Sequence, residues 1–199
     1  MFSGIVKGIG TVLERRDRGA DCRVVVGCGG VLAGPLALGA SVAVNGVCLT
    51  VVESTSESFA ADVSAATLAV TTLGRLAAGV RVNLEPPLAL GDTLDGHLVT
   101  GHVDGVAEVV ETAPDGGSTR IAFELPAPLE RYVARKGSVA VDGVSLTVNA
   151  VQGRRFEVNV IPHTLAVTIA GGYAAGTPVN VEVDLVARYV ERLLGERER

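Results

Sequence analysis

The chain has 199 residues, a net charge of −5, 20% charged side chains and no tryptophan, and this acidic balance excludes the electrostatic footprint of a nucleic-acid-binding protein. Its start lacks a basic stretch followed by a long apolar run, so we expect no targeting segment, no membrane span and no membrane contact. Three cysteines are an odd and sparse set, which argues against a disulfide framework and favours the reducing cytoplasm.

Short runs of β-branched residues recur along the first half of the chain and predict strands. They cover residues 10–13, 22–26, 41–44, 48–52, 58–63 and 80–84. Asn45-Gly46 favours a tight hairpin between the third and fourth runs. A short helix is expected at Leu32–Leu38, where it would plug a barrel end. Six short strands without a long helix between them predict a small closed antiparallel barrel.

The second half of the chain repeats the first at a spacing of 97 residues. Between residues 41–85 and 138–182, 23 of 45 positions are identical without a gap, and 3–8 align with 100–105. Such a repeat indicates one unit built twice. We therefore predict an all-β fold of two tandem six-stranded antiparallel barrels, at residues 1–92 and 93–184. The linker is Pro86–Gly96, and the second plug is expected at Pro128–Arg135.

The end of the chain departs from the repeat. After Asp184, apolar residues recur at three- and four-residue spacing with charged residues between them, which predicts an amphipathic C-terminal helix within 185–199. This helix could pack on its own barrel or form a seam between subunits. Residues 196–199 are expected to be a solvated end.

A series of motifs resembles the riboflavin synthase family over essentially the whole chain. The motifs are Met1–Val6, Asn45–Thr50, Gly96–Gly105, Lys136–Ser138, Asp142–Val148, Ile161–Leu165 and Val181–Asp184. The resemblance implies a homotrimeric transferase that needs no metal or redox cofactor. It would convert two molecules of 6,7-dimethyl-8-ribityllumazine into riboflavin and 5-amino-6-ribitylaminouracil by transfer of a four-carbon unit. It also implies pockets between neighbouring subunits, a trimer seam at the last helix and an association with lumazine synthase.

The resemblance implies four catalytic residues, namely Cys48, His102, Ser145 and Asp184. Cys48 and Ser145 occupy matched positions of the repeat, so the two pockets differ there, and Cys48 is either a nucleophile or a polar contact rather than a small core residue. His102 replaces Ile5 of the first copy, and an imidazole suits deprotonation of the lumazine C7 methyl group. Asp184 would otherwise be a helix cap. His97 and His102 lack a third ligand, so no metal site is expected.

The resemblance further implies a set of residues in contact with the substrate, several of them threonines that would bond ribityl hydroxyls and ring carbonyls. Lys136 would reach the pyrimidine ring or the ribityl chain from a neighbouring subunit. The complete set is Phe2, Ser3, Gly4, Ile5, Val6, Ser41, Cys48, Leu49, Thr50, Asp62, Val63, Ser64, Ala65, Ala66, Thr67, Gly101, His102, Val103, Lys136, Ser145, Leu146, Thr147, Ile161, Pro162, His163, Thr164, Leu165 and Ala166.

Some positions depart from the family pattern and keep other functions open. Ala66 stands where the first barrel of the family usually has a glutamate, and 69–70 and 166–167 lack the usual basic residues. These changes favour a non-catalytic lumazine- or flavin-binding protein, or a paralogue with an altered substrate. Gly101-His102 and Cys48 favour the enzyme. A ligand-free barrel pair is the third reading, and it leaves His102 and the motifs unexplained.

Overall fold

The computed structural model describes residues 1–32 and 34–195 and shows two closed antiparallel barrels followed by a helix, which confirms the predicted fold class. The first barrel has the order β1-β2-β5-β4-β3-β6, and the second has the matching order β7-β8-β11-β10-β9-β12. The strands of the first barrel are β1 Gly8–Arg18, β2 Asp21–Gly27, β3 Ser41–Val44, β4 Val47–Ser54, β5 Ser58–Val63 and β6 Arg81–Glu85. Those of the second are β7 Gly105–Asp115, β8 Ser118–Glu124, β9 Ser138–Val141, β10 Val144–Gln152, β11 Arg155–Val160 and β12 Pro178–Val183.

Alternation along the strands fills each barrel with its own apolar core. In β2, for example, Cys22, Val24 and Val26 face inward and are at most 1% exposed, while the residues between them face outward. The second core is built around Phe123 and Phe156, whose rings stack with centroids 5.0 Å apart. Each repeat therefore buries enough apolar surface to form a core of its own.

The predicted helical plugs are only partly right. Leu32–Leu38 is not helical in its described residues, because Gly34 adopts a φ of +83° and Pro35 follows it; Ala33 lies outside the described residues. Leu32 nevertheless packs into the first core. In Pro128–Arg135, only Leu129–Tyr132 forms a short 3₁₀ turn, and Leu129 packs into the second core.

Short helices occur instead at equivalent places after the fifth strand of each barrel. They are α1 Ala65–Val70 and α2 Pro162–Val167, followed by 3₁₀ turns at Thr72–Arg75 and Ile169–Gly172. Ser64 caps α1, since its Oγ accepts a hydrogen bond from the backbone N–H of Thr67 at 3.2 Å. The sequence pattern missed both helices because each is only six residues long.

The two barrels meet at the hairpin turns that join their third and fourth strands. The turns Asn45-Gly46 and Asp142-Gly143 approach so closely that a Cβ on Gly46 would lie 2.6 Å from the nitrogen of Gly143. Two asparagines cross the junction: Asn83 Nδ2 donates to the carbonyl of Asp142, and Asn180 Nδ2 donates to that of Asn45, both at 2.8 Å. The barrels are thus docked about an approximate two-fold axis.

The predicted C-terminal helix is present as α3, Leu185–Gly195, while residues 196–199 lie outside the described part of the chain. Polar contacts attach it to the second barrel: Arg188 pairs with Asp104 at 2.6 Å, and Glu191 pairs with Arg131 at 2.9 Å. The apolar residues of α3 that stay between 48% and 66% exposed are Val186, Tyr189, Val190, Leu193 and Leu194. Within residues 1–32 and 34–195, no helix combines the length and apolar character that a membrane crossing requires.

Candidate functional site

Two equivalent arms precede the barrels, and each is anchored by a buried glutamate of its own barrel. Glu85 in β6 accepts hydrogen bonds from the N–H and hydroxyl of Ser3 at 2.7 and 2.9 Å. Glu182 in β12 binds Thr100 in the same way, both at 2.7 Å. Burial raises the pKa of Glu85, and the hydrogen bonds from Ser3 and Gly4 act against that rise. The repeat therefore conserves an anchor that fixes the direction of each arm.

Each arm then lies against the other barrel. The carbonyl of Gly101, in the second arm, accepts a hydrogen bond from the N–H of Cys48 in β4 at 2.9 Å. The carbonyl of Gly4, in the first arm, accepts one from the N–H of Ser145 in β10 at 2.8 Å. Gly101 has a φ of +82°, and a Cβ there would lie 2.5 Å from the Cβ of Cys48, so only glycine fits. Each candidate site consequently combines residues from both halves of the chain.

Cys48, Thr67 and His102 line one open recess of about 250 Å³, which we call the first recess. Its complete lining is Val47, Cys48, Ala66, Thr67, Val70, Thr71, Gly101, His102 and Val103. The structure thus brings together six of the residues that the sequence assigned to substrate contact: Cys48, Ala66, Thr67, Gly101, His102 and Val103. A thiol, an imidazole and a hydroxyl on apolar walls can hold a flat heterocycle and move a proton at its edge.

The outer face of the β3–β4 hairpin extends this recess. Cys48 and Thr50 are two residues apart, so their side chains lie on the same face of β4, and Ser41 in β3 pairs directly with Thr50. Cys48 is half-buried, and Thr50 is exposed. Two further predicted contacts, Ser41 and Thr50, therefore share one surface that continues from the first recess.

The repeat relates the first recess to a second site on the other barrel. We define the second site by the equivalent positions, namely Gly4, Ile5, Val6, Val144, Ser145, His163, Thr164, Val167 and Thr168. Thr67 and Thr164 occupy the same place in α1 and α2, and in each case the carbonyl accepts a hydrogen bond at 2.7 Å from the threonine four residues later. The backbone conformation is therefore similar in the first recess and the second site. The side chains differ, because Cys48 and His102 of the first recess are replaced by Ser145 and Ile5 in the second site.

Ser145 has an imidazole partner that sequence reasoning missed. The Nδ1 of His97 lies 2.7 Å from the Oγ of Ser145, and His97 is only 8% exposed. Burial lowers the pKa of His97, against the opposite effect of Asp184 and Glu182, so the ring is neutral at pH 7. Its Nε2 is buried without a hydrogen-bond partner among the described residues.

No sequence pattern indicates the pair of His97 and Ser145 directly. His97 precedes the repeated arm and has no counterpart in the first copy, so the sequence alone raises only the question of a metal ligand at this position. Among the described residues, no group of three or more His, Cys, Asp and Glu side chains is placed to hold a metal ion. The contact arises because the arm crosses to the other barrel: a Cβ on Gly96 would lie 2.0 Å from the carbonyl oxygen of Ser3 and 2.9 Å from the Cβ of Ser145.

Lys136 adopts a backbone conformation that normally requires glycine. Its φ is +69°, and the equivalent residue of the first copy is Gly39, with a φ of +80°. A side chain in this left-handed region costs roughly 1–2 kcal/mol. Lys136 is exposed, and its N–H donates to the carbonyl of Val148 at 2.7 Å. The lysine at this position therefore carries a conformational cost that the glycine of the first copy avoids.

Other predicted site residues lie away from open surface. Phe2 is fully buried in an apolar cluster between the barrels with Ala43, Val99 and Ala140. Leu49 and Val63 point into the first core, and Leu146 packs against the second. Their side chains therefore shape the two barrels from within.

The predicted acids make structural contacts. Asp62 is held by the guanidinium of Arg23 at 2.6 and 2.8 Å, and the Arg23 hydrogen bond holds its pKa below the usual range. Asp184 caps α3, with Oδ1 accepting from the N–H of Val186 at 3.0 Å. The remaining predicted contacts lie in the arms, in β10 or around the short helices: Ser3, Gly4, Ile5, Val6, Ser64, Ala65, Thr147, Ile161, Pro162, His163, Thr164, Leu165 and Ala166.

Comparison with known proteins agrees with the arrangement of two similar barrels. The sequence profile of the lumazine binding domain matches residues 3–86 and 100–184, one match for each barrel. The chain is 46% identical over 198 residues to the riboflavin synthase of Mycobacterium bovis, with 98% of both chains covered. It is 43% identical over 194 residues to that of Photobacterium phosphoreum, which covers 98% of this chain and 89% of the relative. The chain belongs to the riboflavin synthase family.

Solved structures show the same fold. LumP in complex with riboflavin superposes with a TM-score of 0.82 at 25% identity, covering 92% of this chain and 99% of LumP. LumP in complex with 6,7-dimethyl-8-(1'-D-ribityl) lumazine gives a TM-score of 0.80 at 24% identity with the same coverage. In this chain, Cys48, Ala66 and His102 all line the first recess.

Proposed function

We propose that this protein is a riboflavin synthase, which transfers a four-carbon unit between two bound molecules of 6,7-dimethyl-8-ribityllumazine. The strongest support is that the two sites have similar backbone geometry but carry different reactive side chains. The first recess offers Cys48 and His102, while the second site offers Ser145 and His97. Two copies of one substrate can therefore bind alike and react differently.

In the first recess, His102 is the proposed proton acceptor. Deprotonation of the C7 methyl group of one lumazine yields the carbon nucleophile that attacks the second molecule. An imidazole titrates near neutral pH, which suits this step. Cys48 lines the same recess, and its proposed role is a contact of the thiol with the ring or addition of the thiol to it.

In the second site, the proposed role of His97 is to polarise the Ser145 hydroxyl. In the tautomer that carries its proton on Nε2, the neutral ring accepts a hydrogen bond from Ser145 through Nδ1. This contact makes the serine oxygen a better base and nucleophile towards a lumazine bound there. The four carbons that leave the donor complete the new ring of riboflavin, and the remainder of the donor is released as 5-amino-6-ribitylaminouracil.

We further propose a homotrimer in which the first recess of one subunit faces the second site of a neighbour. Support comes from the open recess, in which His102 is exposed, and from the apolar side chains that α3 presents outward. Packing of the first recess of one subunit against the second site of its neighbour would exclude water and hold the two substrate molecules side by side. Such positioning contributes up to roughly 7–11 kcal/mol to a bimolecular step. A reducing compartment such as the cytoplasm suits the three unpaired thiols.

The test is to incubate purified protein with 6,7-dimethyl-8-ribityllumazine alone and to follow riboflavin by absorbance and fluorescence. The proposal predicts one riboflavin for every two lumazines consumed. Lumazine that is bound but unchanged after prolonged incubation would contradict it.

A second function has its own supporting observation. Ala66 lines the first recess and supplies no carboxylate there, and LumP has the same fold. Both favour a protein that binds a lumazine or flavin without converting it. Tight lumazine binding without turnover in the same assay would select this function, and absence of binding in a titration would exclude both.

A further inference from the structure

The helix α3 has no counterpart after the first barrel, and one of its contacts lies beside the first recess. After β6 the chain continues as Pro86-Pro87, whereas after β12 it continues into α3. On the arm, the helix contacts Asp104. The equivalent residue of the first copy is Lys7. This contact is therefore specific to the arm that carries His102.

Arg188 makes two hydrogen bonds to this arm through one nitrogen. Its Nη2 lies 2.6 Å from Oδ1 of Asp104 and 3.1 Å from the carbonyl oxygen of His102. Asp104 is itself fixed, because its Oδ2 accepts from the N–H of Val183 and its N–H donates to the carbonyl of Val181, both at 2.8 Å. The guanidinium thus joins α3, the end of β12 and the main chain of His102.

The preceding part of the arm is held independently of α3. Gly101 donates to Glu182 at 2.9 Å and accepts from Cys48, while the N–H of His102 faces the hydroxyl of Thr100 at 3.3 Å. Arg188 supplies the hydrogen bond on the carbonyl side of His102. The imidazole projects into the first recess from a peptide unit whose orientation this bond fixes.

We propose that Arg188 is a positioning residue for His102, and that it transmits the placement of α3 to the first recess. This inference rests on the proposed function, in which His102 accepts the substrate proton. Docking of α3 against neighbouring subunits then holds the proton acceptor at its working position. Displacement of a reacting group by about 1 Å lowers turnover on the order of 10²-fold, which gives the scale of the expected effect.

The first experiment compares Arg188→Met with Glu191→Gln in the full-length protein. Glu191 also ties α3 to the second barrel, through Arg131 and Tyr132, but it does not contact the arm. Arg188→Met should lower kcat about 10- to 100-fold with KM changed less than about threefold. Arg188→Lys should recover most of the loss. Glu191→Gln should keep the activity of the parent protein, and light scattering should give the same mass for all variants.

A double-mutant cycle decides whether Arg188 acts through His102. In a His102→Ala background, Arg188→Met should cause no further loss of kcat, because the group that it positions is absent. Additive losses would overturn the proposal. So would an Arg188→Met enzyme with the activity of the parent, or a loss that Glu191→Gln reproduces together with dissociation of the assembly.

A measurement without substrate separates this proposal from the proposed function. The protein contains three histidines, so imidazole ¹³C signals can be assigned by single substitutions. Arg188→Met should shift or broaden the signal of His102 and leave that of His163 in place. An unchanged His102 signal would overturn the positioning role. If the parent protein forms no riboflavin, the proposed function fails, and the histidine signals still decide the role of Arg188.

Discussion

Replacement of Asp142 by asparagine should stabilise the protein at alkaline pH. Asp142 is 2% exposed at the junction of the barrels, and its Oδ2 accepts a hydrogen bond from the hydroxyl of Tyr173 at 2.6 Å. Burial raises its pKa to about 7 from an ordinary value of 3.8, despite the opposing hydrogen bonds from Tyr173 and Asn180. The folded protein therefore favours the neutral carboxyl, and ionisation opposes folding.

The size of the effect follows from this difference in pKa. A rise of about three, at 1.36 kcal/mol for each unit of pKa, corresponds to an upper limit of about 4 kcal/mol. The sign follows from proton linkage: the stability that Asp142 contributes is complete below pH 4 and is lost as the pH rises through 7. Asp142→Asn removes this loss, so the variant should exceed the parent in free energy of unfolding at pH 8 and match it near pH 4.

Asn45 provides the matched control. It occupies the equivalent turn of the first barrel, where its Oδ1 accepts from the N–H of Asn83 at 2.7 Å, so asparagine is compatible with this turn geometry. The place of Tyr173 is taken there by Leu76, so Asn45→Asp should destabilise the protein at pH 8. Urea unfolding at one protein concentration, at pH 4 and pH 8, measures all three proteins. A difference between Asp142→Asn and the parent that does not grow with pH would refute the reasoning.

Three further predictions concern the sites. Lys136→Gly should raise the free energy of unfolding by about 1 kcal/mol, because Gly39 shows that this backbone suits glycine, and should weaken lumazine binding measured by titration calorimetry. Ala66→Glu should tighten lumazine binding by about 1–3 kcal/mol, since it adds an acceptor to the first recess; unchanged affinity would contradict this. His97→Asn should lower kcat about 10²-fold with KM nearly unchanged, because the amide oxygen that replaces the imidazole nitrogen is a far weaker base towards the Ser145 hydroxyl. An equal loss in a Ser145→Ala background would show that His97 does not act through Ser145.

Much of the fold could be predicted because the internal repeat shows each strand and turn signal twice. Strand runs in one copy support those in the other, and Asn45-Gly46 and Asp142-Gly143 identify the same hairpin twice. The short helices α1 and α2 were not predicted, because a segment of six residues shows too little helical periodicity. The prediction of a helix at Leu32–Leu38 was wrong, because Gly34 with its positive φ and Pro35 interrupt a helical backbone there.

Site residues could be predicted from the sequence where their positions depend on local backbone geometry alone. Cys48 and Thr50 share a face of β4 by strand alternation, and Thr67 follows at a fixed point of the repeat. The pair of His97 and Ser145 could not be found in this way, because it depends on an arm that crosses to the other barrel. Lys136 was identified by resemblance alone, although its alignment with Gly39 already indicates a left-handed backbone.

The central claim is that four carbons pass from one lumazine to another between two sites, and isotope crossover tests it most directly. One sample of 6,7-dimethyl-8-ribityllumazine would carry ¹³C in its methyl groups, and a second would carry ¹⁵N in its ring system. Both would be mixed with the protein, and the riboflavin formed would be analysed by mass spectrometry. The account predicts riboflavin molecules that contain both labels, with donor carbons joined to an acceptor ring. Riboflavin that never combines the two labels, or no riboflavin at all, would contradict it.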